Sequence, residues 1–215
     1  MHTLPSARLR YTWRDVDGRG RLDLRATRAL LDASSVLVRN SVVRSEIGGE
    51  GELRIAGPLV VRALARGASV RSSFDANSRA TLGGRLVLTS ALLGELSAGA
   101  QQLSYAHFSA AGYFAPRWAR TAEAGLYREM ESGSGATLAL DIGAGAQRVA
   151  EWGAAAGRWS PAFRGWAALG IPIAPGRELR VEVESYDAKI GSETATAASR
   201  WRYASGSVSL RWHLR

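Results

Sequence analysis

Hydrophobic and polar positions alternate with a period of two along most of the chain. From residue 137 to residue 147 the even positions are apolar, among them Leu138 and Leu140, while the odd positions are small or polar, among them Asp141 and Gln147. Successive side chains of a β-strand point to opposite faces, so this pattern predicts a strand with one apolar and one polar face.

The same alternation recurs elsewhere, and turn-forming residues separate the runs. Alternating runs occupy Arg8–Arg14, Leu59–Arg66, Phe163–Ile173, Arg177–Tyr186 and Ser207–Leu214. Turn signals occur at Val16–Gly18, Gly48–Gly49, Asp75–Asn77, Gly83–Gly84, Ser132–Gly135 and Ala174–Gly176. The roughly 12 to 20 residues between turns exceed the usual spacing of small sandwiches, which predicts long strands. Only Thr27–Leu37 has apolar residues near helical spacing.

Long two-faced strands fit either a soluble barrel with an apolar core or a transmembrane barrel with a polar interior. Lys189 is the only lysine, and the polar positions carry mainly Gly, Ser, Thr, Ala, Gln and isolated charges. A soluble surface normally carries more Lys and Glu. We therefore predict an all-β, antiparallel transmembrane β-barrel of about 12 strands, in the range of about 10 to 14. Residues 1–215 are expected to form this single domain.

Aromatic residues near the strand ends agree with a membrane barrel. Trp and Tyr form girdles at both membrane interfaces, because their rings combine an apolar body with a polar group. The residues concerned are Tyr11, Trp13, Trp118, Tyr127, Trp159, Trp201, Tyr203 and Trp212.

The positive charge does not by itself indicate a nucleic-acid partner. The formal net charge is +9, but the arginines are spread along the chain rather than clustered. A GC-rich coding sequence accounts for much Arg, Ala and Gly, and no nucleic-acid partner is predicted. No apolar run of about 18 residues exists, so no transmembrane helix is expected.

The polar face supplies candidate lumen residues. The predicted lumen-facing residues are Arg62, Arg66, Asp141, Gln147, Arg180, Glu182, Glu184 and Arg211. With Arg10 and Arg14 they give a mixed but net basic lining, which predicts a weak preference for anions. Gly143, Gly145 and Gly165 are expected at inward positions, where they leave room for long side chains of neighbouring strands.

No pattern of catalytic or metal-binding residues is present. Glu182 and Glu184 share a strand face, but strand alternation alone produces such pairs. His2, His107 and His213 have no metal-ligand spacing, and cysteine is absent. We predict no enzymatic activity, no metal and no cofactor.

From about Gly48 onward, the order of motifs resembles a known family. The motifs are Asp75–Arg79, Gly112–Pro116, Glu123–Leu126, Gly143–Gln147 and Gly206–Trp212, of which Tyr113-Phe114-Ala115-Pro116 is the most specific. They resemble the C-terminal β-barrel of tetratricopeptide-containing outer-membrane exopolysaccharide export proteins, of the type that serves cellulose synthase and poly-N-acetylglucosamine export. The resemblance implies a porin-like, passive exit route for a secreted polysaccharide.

It also implies a place in the bacterial outer membrane, with the lipid bilayer and the barrel assembly machinery as partners. Met1–Ser6 has no apolar stretch and predicts no signal peptide. The chain is thus expected to be the C-terminal part of a longer precursor. Two alternatives remain: a plugged barrel that acts as a membrane anchor or scaffold, and a soluble lipocalin-like binding barrel.

Overall fold

The computed structural model describes residues 6–30, 39–111, 113–186 and 203–212. Every element assigned there is a β-strand: β1 (Ala7–Arg14), β2 (Gly20–Leu30), β3 (Val43–Ala56), β4 (Leu59–Arg71), β5 (Ala76–Ser90), β6 (Gly94–Tyr105), β7 (Trp118–Glu131), β8 (Thr137–Ala150), β9 (Ser160–Ala174), β10 (Arg177–Tyr186) and β11 (Tyr203–Trp212). They form one sheet in chain order. Each strand is antiparallel to its neighbours, which confirms the predicted all-β, antiparallel class.

The two ends of the sheet differ in their connections. At one end, here the turn end, the connections 15–19, 57–58, 91–93, 132–136 and 175–176 are short. At the other, the loop end, connections such as 106–117 and 151–159 are longer. No helix in the described ranges is long and apolar enough to cross a membrane.

The strand register gives the sheet a polar and an apolar face. Residues directly opposite in a ladder project to the same side. Glu52 is opposite Arg62, Arg62 is opposite Arg85, and Arg85 is opposite Gly99, which is opposite Glu123. Following the register across all strands, every Asp and Glu of the described strands lies on this polar face.

The sheet curls around its polar face. Asp23 on β2 and Glu184 on β10 line one cavity of about 740 Å³, although seven strands lie between β2 and β10 in the sheet order. Within the described residues β1 pairs only with β2 and β11 only with β10, so the sheet has two open edges. Because eleven strands alternate in direction, β1 and β11 run the same way. A direct pairing of β1 with β11 would therefore be parallel.

Buried residues concentrate on the polar face and beneath the β6–β7 connection. Val70, Leu103 and Tyr105 lie on the polar face near the loop end, where they pack with Ala111 and Tyr113 of that connection. We call residues 106–111 and 113–117 the inner loop segment, because they fold over the polar face.

Several glycines differ from the sequence-based expectation. Gly48–Gly49 and Gly83–Gly84 lie inside β3 and β5 instead of forming turns. A Cβ on Gly48 would lie 2.5 Å from Cγ of Arg66, so this glycine makes room for the arginine. Gly165 is opposite Ile142 on the apolar face and not inward as expected. Residues 27–30 belong to β2, while 31–37 lie outside the described residues.

Candidate functional site

The candidate site is the cavity enclosed by the polar face, here called the polar chamber. Its charged lining is balanced, with five arginines and five carboxylates: Arg21, Arg25, Arg62, Arg85, Arg164, Asp23, Glu50, Glu52, Glu123 and Glu184. Gln101 and Thr121 add uncharged polar groups. The chamber thus offers hydrogen-bonding groups of both signs without a net formal charge among these residues.

Glu123 on β7 connects strands on both sides of it. Arg85 on β5 donates from Nη2 to Glu123 Oε1 at 3.0 Å, and Arg164 on β9 donates from Nε to the same oxygen at 3.0 Å. Both contacts cross an intervening strand, at Gly99 on β6 and near Gly143 on β8. A Cβ on Gly143 would lie 2.7 Å from Cδ of Glu123, so the absence of a side chain there permits this arrangement.

A second group of charges lies nearer the turn end. Arg62 donates from Nε to Glu52 at 2.9 Å and from Nη1 to Glu95 at 3.3 Å. These partners come from β3 and β6 on either side of β4. Because the ion pairs join adjacent or next-but-one strands, they reinforce the wall of the chamber.

The eight residues predicted to face a lumen all lie on the polar face. Arg62 and Glu184 line the polar chamber. Of the other predicted residues, Arg66 donates to the Glu50 carboxylate. Asp141 is paired with Arg164, with 2.5 Å between Oδ2 and Nη1.

The others lie elsewhere on that face. Arg180 donates to Glu182, whose carboxylate is 3.9 Å from Arg211. Glu182 is thus paired with arginine side chains of β10 and β11. Gln147 is buried on β8.

Several well-connected residues of the chamber were absent from the sequence-based candidates. Glu123, Arg85, Arg164 and Asp23 form much of its ion-pair network. A signal for Glu123 does exist, because Thr121, Glu123 and Gly125 alternate with Ala122 and Ala124. Its partners depend on register between strands, which alternation within one strand does not specify.

The inner loop segment covers the polar face at the loop end. The rings of Tyr105 and Tyr113 are tilted by 38° with centroids 5.7 Å apart. Asn40 donates from Nδ2 to the carbonyl of Ala111 at 2.9 Å, and Trp152 donates from Nε1 to Ala115 at 3.0 Å. These contacts hold residues 113–116, the most specific part of the family resemblance, inside the mouth of the curled sheet.

His107 fastens the base of this segment. Its ring nitrogens lie 2.9 Å from the carbonyl oxygen of Phe108 and 2.8 Å from that of Ala76. Carbonyls only accept hydrogen bonds, so both contacts form fully when both ring nitrogens carry protons. These two backbone contacts raise the pKa of His107. Burial raises the pKa of the Tyr113 hydroxyl.

The apolar face is exposed across nearly the whole sheet. Ile47 is 69% exposed, Leu82 59% and Ile142 51%. Further exposed residues on this face are Leu9, Tyr11, Trp13, Leu22, Leu24, Leu53, Leu86, Leu88, Leu96, Phe163, Leu169, Val208, Leu210 and Trp212. An exposed apolar surface of this extent marks an interaction surface.

Charge on the apolar face is confined to its borders. Its charged residues are arginines, with Arg28, Arg71, Arg120 and Arg148 near the loop end and Arg128 and Arg177 near the turn end. Trp13 and Trp212 lie at the turn end and Trp118 at the loop end. The side chain of Tyr127 is on the polar face instead, and Trp201 lies outside the described residues.

No group of three or more His, Asp or Glu residues in the described ranges is arranged to hold a metal ion. Comparisons of the chain with protein-family models, with curated proteins and with solved structures found no match.

Proposed function

We propose that this chain is a β-barrel of the bacterial outer membrane, whose polar interior gives passive passage or docking to a secreted polysaccharide without catalysis. In this proposal the apolar face contacts lipid and the polar chamber is the lumen. The sheet closes by bringing its two open edges together, in parallel or through an added strand.

The observation that supports the proposal most strongly is the inverted distribution of polarity. Ion-paired charges occupy the concave face, while large apolar side chains such as Ile47 and Leu82 are exposed on the convex face. Burying one such side chain contributes about 1.5–3 kcal/mol, so leaving many exposed to water is unfavourable. Hydrocarbon removes this cost and requires closed strand pairing, which a barrel supplies.

The chamber favours a neutral polar solute such as an uncharged glycan. Its five arginines and five carboxylates balance, and much of their charge is engaged in ion pairs along the wall. Hydroxyl groups of a sugar can donate to the carboxylates and accept from the guanidinium groups. The proposal therefore expects polar contacts along the route without strong retention of ions.

The test begins with folding of the chain into phosphatidylcholine vesicles, followed by flotation and unheated gel electrophoresis. Co-flotation and heat-modifiable mobility are expected for a folded membrane barrel. A chain that folds and stays in the aqueous fraction contradicts the proposal and favours the lipocalin-like alternative. Vesicle swelling in neutral oligosaccharides then measures passage.

A plugged barrel is the second candidate, and the inner loop segment favours it. Tyr113 and Ala111 are buried against the polar face at the loop end. The replacement Tyr113→Ser, together with Asn40→Ala, removes the ring contact and the hydrogen bond that hold the segment. Permeation by the native chain supports passage. Permeation by the double variant alone supports a plugged anchor, and permeation by neither contradicts a continuous lumen.

A further inference from the structure

Two arginines on the apolar face lie directly opposite each other near the loop end. Arg120 on β7 is paired in register with Arg148 on β8 and, on its other side, with Gln102 on β6. The guanidinium carbon of Arg120 lies 4.7 Å from the centre of the Trp118 ring, and that of Arg148 lies 5.8 Å from it. We call Gln102, Trp118, Arg120 and Arg148 the border cluster.

Among the residues that the structure describes, the hydrogen bonds of the border cluster leave guanidinium donors of Arg120 and Arg148 unused. Arg120 donates from Nε to Gln102 Oε1 at 2.7 Å, and Arg148 donates from Nε to the carbonyl of Gly157 at 2.8 Å. Within the described residues, no salt bridge joins either arginine to a carboxylate. Like charges directly opposite in a sheet destabilise it, so this pair would gain from an anion between its two groups.

Several arginines on the polar face, unlike Arg120 and Arg148, have carboxylate partners among the described residues. Arg62, Arg85 and Arg164 each contact at least one carboxylate. On the apolar face of the described strands no carboxylate is present, so an anion for Arg120 and Arg148 must come from outside the sheet.

The border cluster lies where the apolar band ends. Along β7, the next charged residue on the same face is Arg128, eight positions away at the turn end. At about 3.3 Å per residue, this separation is roughly 26 Å along the strand. Strands of membrane barrels are tilted by about 35–45° and their apolar bands are about 25 Å tall, so this separation corresponds to roughly 18–22 Å of height. Arg120 and Arg148 therefore fall near the edge of the band in the proposed orientation, where long arginine side chains extend to the lipid headgroups.

We propose that the border cluster binds the phosphate of an anionic lipid headgroup at the loop-end rim of the barrel. This inference rests on the proposed membrane location. Arginine presents paired N–H donors that match two oxygens of a phosphate, and two facing arginines can hold one phosphate from both sides. The Trp118 ring supports both guanidinium groups from the face through cation–π contact.

The experiment compares vesicles of phosphatidylcholine alone with vesicles that also contain phosphatidylglycerol. The thermal midpoint is read from the folded band on unheated gels. The lipid mixture is expected to raise the midpoint of the native chain and of Arg128→Gln, the control at the opposite border. The double variant Arg120→Gln/Arg148→Gln is expected to lose this rise. In neutral detergent, its affinity for short-chain phosphatidylglycerol should fall about tenfold per arginine removed, equivalent to ~1.4 kcal/mol each.

Each contrary result has a distinct meaning. Flotation with vesicles but no response to phosphatidylglycerol overturns the lipid site and leaves the membrane proposal intact, whereas failure to float overturns both. An equal rise with inorganic phosphate in neutral detergent identifies a free-phosphate site and overturns the lipid assignment. Native mass spectrometry of the native chain in mixed lipid provides a second test that needs no variant. Preferential retention of phosphatidylglycerol supports the site, and equal retention of both lipids overturns it.

Discussion

Arg164 on β9 reaches Glu123 on β7 across the strand between them, with 3.0 Å from Nε to Oε1. The contact is possible because β8 has glycine beneath it: a Cβ on Gly143 would approach all three carboxyl atoms of Glu123 to 3.0 Å or less. A short contact that crosses a strand on the polar face thus depends on a small residue of the crossed strand at that point.

Gly143→Ala should destabilise the fold because it displaces the Glu123 carboxylate. The carboxylate ends a flexible side chain and can move aside, so the expected cost is the weakening of its contacts with Arg85 and Arg164, where a hydrogen bond to a charged group contributes about 1.5–3 kcal/mol. Gly165→Ala is the matched control, because its Cβ would meet no atom within 4 Å on the neighbouring strand. Urea unfolding in micelles measures both free energies. Equal stability of the two variants would contradict the role assigned to Gly143.

Glu123→Gln should lower stability by removing a shared anionic partner from Arg85 and Arg164. Hydrogen bonds to charged groups contribute about 1.5–3 kcal/mol, and the partial exposure of Arg85 places the expected loss at about 2 kcal/mol. Arg85→Gln in the Glu123→Gln background should then cost little. A double-mutant cycle in micelles measures the coupling free energy between Arg85 and Glu123. Strictly additive losses would mean that the contact between them does not contribute to stability.

Leu210→Arg should block membrane assembly, whereas Ser209→Arg should not. Leu210 is opposite Leu179 on the apolar face, and Ser209 is opposite Arg180 on the polar face. A charge facing lipid near mid-membrane costs about 2–4 kcal/mol, while a charge facing the lumen costs far less. Heat-modifiable mobility of the two variants gives the readout. Equal tolerance would mean that the faces are assigned wrongly or that the sheet is not in a membrane.

The inner loop segment should be held more firmly at lower pH. The pKa of His107 is raised above its ordinary value of 6.5 by its two carbonyl contacts, so the folded state binds the proton more tightly. The resulting stabilisation is fully present below about 6.5 and is lost as the pH rises through the higher folded pKa.

Native and His107→Gln chains therefore serve as a pair for measuring this effect. Amide hydrogen exchange in the inner loop segment, corrected for the intrinsic pH dependence, should show a difference between them that shrinks with rising pH. A pH-independent difference would exclude protonation of His107 as its cause.

Alternation within single segments was enough to predict the strand class and several strands. The predicted Arg177–Tyr186 strand coincides with β10, and the prediction for Arg8–Arg14 differs from β1 by one residue. Gly48–Gly49 misled the turn assignment because glycine also serves to accommodate a neighbouring side chain, here Arg66. Local sequence does not distinguish these two uses of glycine.

The contacts of the candidate site could not be predicted from single strands, because they depend on the register between strands. Glu123 and Arg164 are 41 residues apart, and only the register of three strands brings them together. The inner loop segment is similar: Tyr113 is buried because it contacts Tyr105 across the mouth of the sheet. Its apolar residues were visible in the sequence, but the face on which they pack was not.

The central claim is that the exposed apolar face contacts lipid, and a nitroxide scan of β8 tests it most directly. The chain has no cysteine, so single-cysteine variants at 138, 139, 140, 141, 142 and 144 can each carry one spin label. In vesicles, labels at Leu138, Leu140, Ile142 and Ala144 should collide mainly with dissolved oxygen, and labels at Ala139 and Asp141 mainly with a water-soluble nickel complex. Uniform access of the nickel complex to both faces, or the opposite alternation, would contradict the account.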